Sequence, residues 1–322
     1  MGNRIMILVM LLIPLLFTCN KGEIEYINYK EEMRNFVIGI SQYAKTQNSG
    51  FVIIPQNGQE LITEDGEITS QLANDYIDAI DGQGREDLFY GYDADDMETN
   101  ASDRTYIISY LDKIKQKAKT ILVIDYCSTI SKMNNSYALN NNNGFISFAA
   151  DQRELTNIPN IPSPIYAENK DTIVQLSQAK NFLYLINPTN YTKSQFINAV
   201  RNTNYDVLIM DLFLNEVEFT AQELDSLKLK QNGGIRLIMC YMSIGEAENY
   251  RYYWQNSWNN NKSSWLGSEN PDWEGNFKVK YWNKEWQNII YGNEQSYLKK
   301  IINAHFDGVY LDIIDAFEYY EK

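Results

Sequence analysis

The side chains best equipped for chemistry in this 322-residue chain are carboxylates. Asp312 follows the apolar run Gly308-Val-Tyr-Leu, and Asp315 comes shortly after it. Asp211 ends Val207-Leu-Ile-Met, and Asp125 ends Thr120-Ile-Leu-Val-Ile. Glu246 and Glu248 follow Tyr241-Met-Ser-Ile-Gly, Glu86 lies just past Ile80-Asp-Gly-Gln-Gly, and Asp93 is a further candidate. One acid at the end of an apolar run ordinarily caps the next element. Several gathered at one rim would raise some of their pKa values, so that one group stays protonated where another ionises. A general acid facing a base or nucleophile is what hydrolysis of a glycosidic bond requires.

Other chemistries find little to work with. The single histidine, His305, sits where a helix should end before an apolar strand, and a structural or capping role is expected of it. Ser-His-Asp and Cys-His mechanisms would both depend on that one residue. A multi-histidine zinc site is excluded, the three cysteines show no CxxC spacing, and no metal or other cofactor is expected. A net charge of −14 argues against nucleic acid as a partner. It suits a neutral or cationic ligand, although acidity also simply aids solubility. Asp, Glu, Asn, Trp and 24 tyrosines remain, an inventory suited to a polysaccharide or oligosaccharide partner.

The elements that must position these acids read as alternating strands and helices. Short apolar runs recur at Gly50–Pro55, Ile77–Ile80, Thr120–Asp125, Gly144–Phe148, Phe182–Ile186, Asp206–Asp211, Arg236–Tyr241 and Gly308–Ile314. Several are continuously apolar, as parallel strands covered on both faces should be. Between them, residues 31–45 and 103–119 carry apolar side chains at helical spacing, and Thr192 and Thr220 stand where N-caps belong. Eight such repeats predict an α/β fold, a single-domain (β/α)8 TIM barrel, whose chemistry lies at the C-terminal ends of its strands. No glycine-rich nucleotide loop follows any strand. The Asn-rich stretch 134–143 reads as an exposed loop. The excursion 245–287 holds all six tryptophans and should lie over the active face, with two or three rings, Trp282 among them, meeting sugar.

The N-terminus reads as an address. Residues 1–18 form a signal peptide, with Arg4 ahead of an apolar run from Ile5 to Phe17 that is too short to span a bilayer. Leu16-Phe-Thr-Cys19 has the form of a lipobox, so Cys19 is the expected lipidation site. Residues 19–30 would be the anchor linker and 31–322 the barrel. The expectation is an exported lipoprotein, held to the membrane by its lipid at the cell surface or facing the periplasm. Cys127 and Cys240 are expected to be buried free thiols.

Tyr241-Met-Ser-Ile-Gly-Glu-Ala-Glu248 and Phe306-Asp-Gly-Val-Tyr-Leu-Asp-Ile-Ile-Asp315 resemble glycoside hydrolase family 114 and its prokaryotic extracellular relatives, which are related to endo-α-1,4-polygalactosaminidase. Ile54-Pro-Gln-Asn-Gly58 and Ala79-Ile-Asp-Gly-Gln-Gly-Arg-Glu-Asp-Leu-Phe-Tyr90 resemble the same branch. The order is unusual: the segment resembling the family's later half precedes the segment resembling its earlier half, as in a circular permutant. The resemblance implies Asp312 as nucleophile or base and Glu86 as acid, the second match being the looser. It implies sugar contacts for Glu248, Asp211, Tyr241 and Asn57, and an orienting role for Asp315. The implied activity is hydrolysis of an amino-sugar polysaccharide of the galactosamine type. The alternative is a cell-surface lipoprotein that binds glycan without turnover.

Overall fold

The computed structural model describes residues 27–322. The expected signal peptide and Cys19 lie outside them. Eight parallel strands carry the fold: β1 Val52–Pro55, β2 Gly82–Glu86, β3 Thr120–Tyr126, β4 Ile146–Ala150, β5 Phe182–Tyr184, β6 Val207–Met210, β7 Leu237–Ser243 and β8 Gly308–Asp312. All but β2 are largely apolar and mostly buried, which suits strands covered on both faces.

The strands form two hydrogen-bonded parallel sheets rather than one closed ladder. One has the order β1-β8-β7-β6-β5 and the other β2-β3-β4. At one seam, a single parallel bridge joins Gln56, just past β1, to Gly84 of β2. At the other seam, β4 runs beside β5. Between the sheets, Tyr310 of β8 packs on Tyr184 of β5, with ring centroids 5.3 Å apart. Its hydroxyl also reaches β2: a Cβ added to Gly84 would lie 2.1 Å from it, so that position has room only for glycine.

Helices α1 Tyr29–Gln47, α2 Asn74–Ala79, α3 Ala101–Gln116, α4 Ile130–Asn142, α5 Lys193–Arg201 and α6 Ala221–Leu227 lie between successive strands or ahead of the first. Thr192 and Thr220 do cap α5 and α6, each in a reciprocal capping box with Gln195 or Glu223. His305 takes a left-handed conformation (φ 71°) just past the helix at Tyr297–Asn303 and pairs with Asp225 at 3.1 Å.

Two expected elements are overturned. The run Ile77–Ile80 is not a strand: Tyr76 and Ile77 are the buried face of α2, and the strand is the polar Gly-Gln-Gly-Arg-Glu that follows. The Asn-rich stretch is not a loop but most of α4. Its Ser136 and Asn140 are fully buried because both donate to Asp125.

The tryptophan-rich excursion folds as a small antiparallel sheet of Glu246–Glu248, Leu266–Glu269 and Asn276–Val279, followed by the helix Lys284–Ile290. Trp258 packs edge-on against Trp265 at 5.0 Å, Trp265 packs tilted against Trp286 at 5.1 Å, and the Trp286 indole donates to the Ile244 carbonyl at 2.8 Å. The two ends of the described chain meet: Tyr29 stacks on Tyr320 at 5.4 Å, and Lys30 pairs with Glu321. Cys127 and Cys240 are buried free thiols.

Candidate active site

Three neighbouring strands each end in a polar side chain aimed at one cleft. Gln56 follows β1, Glu86 ends β2 and Asp312 ends β8. The residue after each, Asn57, Asp87 and Ile313, has positive φ, at 62°, 59° and 57°. A β-branched residue rarely adopts that conformation, at a cost on the order of 1–3 kcal/mol, and such strain concentrates at functional sites. Here it turns the chain sharply enough that Asp312 and Asp315 both line the cleft.

The centre of the site is one amide between two acids. Gln56 Nε2 donates to Glu86 Oε2 at 2.8 Å and to Asp312 Oδ1 at 2.9 Å. Those two oxygens therefore lie under about 6 Å apart, within the range over which paired carboxylates act on one glycosidic bond. Tyr184 donates in turn to Gln56 Oε1 at 3.3 Å, which fixes the amide's orientation.

Each acid has its own further partners. Asp312 accepts from the Tyr241 hydroxyl at 2.6 Å. Glu86 accepts from Asn57 Nδ2 at 3.1 Å and from the Tyr126 hydroxyl. Tyr126 lies beneath the Arg153 guanidinium, 3.9 Å from the ring centroid, and Arg153 is itself held by Asp87 and Asp95, at 2.8 Å each.

Burial and mutual repulsion separate the acids electrically. Burial, then the charge of Asp312, pushes Glu86 up to about 7. Burial pushes Asp312 up to about 6, restrained by its hydrogen bond from Tyr241. Asp315 rises to about 7 for the same first reason, with Asp312 as the strongest repulsive charge. At neutral pH the site can hold one protonated and one ionised acid, the division that acid–base cleavage needs.

Three further acids of the cleft, Glu248, Asp211 and Glu246, are tied down. Arg251 binds Glu248 through Nε at 2.6 Å and Asp211 through Nη1 at 2.7 Å, and Tyr250 also donates to Glu248. Glu246 accepts from Asn270 at 2.9 Å and from Asn276 at 3.4 Å.

The structure thus brings together Asp312, Glu86, Asp315, Asn57, Tyr241, Glu246, Glu248 and Asp211 around a cavity of about 380 Å³. Two expected ligand contacts do not reach it. Asp125, near the end of β3, is fully buried and accepts from the Phe89 and Tyr90 amides and from Ser136 and Asn140; it is a structural cap. Trp282 packs instead against Tyr29, Tyr281 and Tyr320 where the chain ends meet. Asp93 is exposed and does not line the cavity either. The tryptophan that overhangs the cleft is Trp273, at the tip of the excursion and 54% exposed.

Gln56, Tyr126, Tyr184, Arg153 and Arg251 were not legible as site residues. Their signal, a polar residue next to a strand-end acid or one strand away from it, has meaning only once strand neighbours are known.

Carboxylates paired at the C-terminal ends of parallel strands in an α/β fold are the equipment of glycoside hydrolases. Residues 163–322 match the family model of glycoside-hydrolase family GH114, so the chain is GH114-like across the half that holds β5 to β8 and Asp312. Glu86 falls outside the matched residues, so its place beside Asp312 is known from geometry. An uncharacterized protein of Methanocaldococcus jannaschii is 42% identical over 159 residues, covering 48% of this chain and 42% of that protein. An uncharacterized protein of Thermotoga maritima is 37% identical over 123 residues, covering 38% and 36%. One of Deinococcus radiodurans is 35% identical over 134 residues, covering 42% and 41%. The match spans less than half the length of each of these relatives.

Proposed function

We propose that the protein is a glycoside hydrolase that cleaves an amino-sugar polysaccharide, of the galactosamine type, with Glu86 as general acid and Asp312 as nucleophile or base. The observation that carries this reading is the single Gln56 amide shared by the two acids. The acidic lining favours a sugar bearing a free ammonium, since Glu274, Asp315 and Glu246 join the pair around one cavity. Trp273 offers an exposed indole face for the ring to stack on.

The test is release of reducing ends from α-1,4-linked galactosamine polymer, with D312N and E86Q compared for turnover and for binding. Turnover lost with binding kept supports hydrolysis. Binding by the wild type with no turnover on any glycan would make it a glycan-binding protein instead.

The same reading extends to architecture and location. We take the two sheets to be the halves of one eight-stranded barrel. Tyr310 touching both β5 and β2 supports this, because side chains from opposite sides of a cylinder share its interior. A GH114 match confined to the second half, together with the contacts of Tyr29 and Lys30 with Tyr320 and Glu321, supports a circular permutation of the family's order. Export and lipidation at Cys19 complete the proposal, and mass spectrometry of the membrane fraction tests them.

A further inference from the structure

The two oxygens of Glu86 have unlike surroundings. Oε2 accepts from two amides, Gln56 Nε2 at 2.8 Å and Asn57 Nδ2 at 3.1 Å. Neither amide is free to turn round. Gln56 Oε1 accepts from the Tyr184 hydroxyl, and Asn57 Oδ1 accepts from the Glu86 backbone N–H at 3.1 Å. Both nitrogens therefore point at Oε2, and a proton there would face two donors. Among the described residues, Oε1 accepts only from the Tyr126 hydroxyl. A proton held by Glu86 belongs on Oε1, whose second lone pair is left for it.

Tyr126 is itself held from behind. It is the last residue of β3, 2% exposed, and its ring lies against the Arg153 guanidinium. Arg153 is fixed in turn: Nε donates to Asp95, Nη1 and Nη2 donate to Asp87 at 3.2 and 2.8 Å, and Nη2 also donates to the Gly91 carbonyl at 3.0 Å. Asp87 is the residue after Glu86, so the contacts return to the strand they started from. Burial and the charge of Glu86 keep the Tyr126 phenol protonated, and therefore a donor. A cation against a phenol ring draws electron density from it and makes its O–H the stronger donor.

We infer that Tyr126, backed by Arg153, is the positioning residue of the general acid: it holds Glu86 so that Oε1 carries the proton, and its hydrogen bond sets how readily that proton leaves. The inference rests on the hydrolase reading and names the part that tunes its acid. In the step itself, the proton passes from Oε1 to the glycosidic oxygen, which keeps the electron pair of its breaking bond to the anomeric carbon. Asp312 supplies the new pair to that carbon, directly or through a water that it deprotonates. Glu86 is left as a carboxylate, and the hydrogen bond from Tyr126 strengthens as that charge appears.

Other ionisable groups face Glu86 too. Arg85 and Asp87 flank it in the chain, and Asp312 of β8 repels its carboxylate, as Asp87 does. Asp315 beyond β8 feels its charge, and so do the buried hydroxyls of Tyr184 on β5 and Tyr310 on β8. Substitution at position 126 leaves all of these in place.

The test is the alkaline limb of kcat/KM against pH for the full chain on α-1,4-linked galactosamine polymer. Tyr126→Phe should move that limb up by about one unit, because a hydrogen bond that favours the carboxylate is gone. 3-Fluorotyrosine introduced at position 126, a stronger donor of nearly the same size, should move it down. A tyrosine with a merely structural role would change the melting temperature and leave the limb in place. A limb that stays put in either variant, or moves the same way in both, overturns the inference. Arg153→Gln should move the limb up by more in the parent than in Tyr126→Phe, since part of its effect runs through the ring; equal shifts in the two backgrounds would overturn the role of Arg153. If wild type turns over no glycan, the hydrolase reading fails separately. Infrared difference spectra of the carboxyl C=O band against pH, assigned by its loss in Glu86→Gln, then read the same shifts without substrate, and a band that titrates alike in all variants overturns the inference.

Discussion

Gln56 and the two acids it joins behave as one titrating unit, so their pH behaviour belongs to the pair. The proposed mechanism needs Asp312 ionised and Glu86 protonated. The rate should rise as pH climbs through about 6 and fall as it passes about 7, giving a narrow bell in kcat/KM. Glu86→Gln should lower kcat by roughly 10²–10⁴-fold and abolish the alkaline limb, which a pH–rate profile would show. Asp315 permits a separate test through stability. Its pKa is raised from 3.8 to about 7 on folding, so the folded form holds the proton more tightly than the unfolded one. Its contribution to stability is therefore full below about 3.8 and lost as pH rises through about 7. Asp315→Asn should raise the melting temperature at pH 8 but not at pH 3.5. An equal shift at both values would mean that this carboxyl is not the strained group.

At the scale of elements, Arg251 fastens the tryptophan-rich excursion to the end of β6, because it reaches Asp211 from a loop that also holds Glu248. Arg251→Met would leave both acids without their cation in a buried setting. Denaturant unfolding should show a loss of about 3–5 kcal/mol. Thr220→Ala, which removes the cap and half of the capping box on α6, should cost only about 1 kcal/mol in the same assay.

These elements were unevenly legible. Seven strands announced themselves because burial on both faces demands a largely continuous apolar run. The eighth, β2, did not, because Gly84 must admit Tyr310 and Glu86 must face the cleft, so its residues were chosen for close approach and chemistry rather than for apolarity. α4 was hidden for a related reason: its buried face is written in Ser136 and Asn140, partners of a buried acid, rather than in Leu or Ile. Asp312 could be named from its strand-end position and Glu86 from its place just past the run at Ile80 and from the family resemblance, but Asp125, at a position like that of Asp312, proved to be a cap. Strand-end position marks acids that point into the cleft and acids that point down into a helix alike, and only the fold separates them.

For the whole molecule, the decisive feature is the contact between the segment that opens α1 and the segment that follows β8. Tyr29, Lys30, Tyr320 and Glu321 are in mutual contact, with Trp282 packed on both tyrosines. Covalently sealing residue 322 to residue 27 through a short glycine-rich bridge, and opening the polypeptide within 151–181 between β4 and β5, would restart the chain at β5 and leave every strand neighbour as it was. Such a rewired protein should fold cooperatively, with near-ultraviolet circular dichroism like the parent's, and an aggregated or molten product would refute the idea. The eight strands would then have no privileged first member: the gene's starting point sets the order of synthesis, while the arrangement around the cleft is indifferent to it.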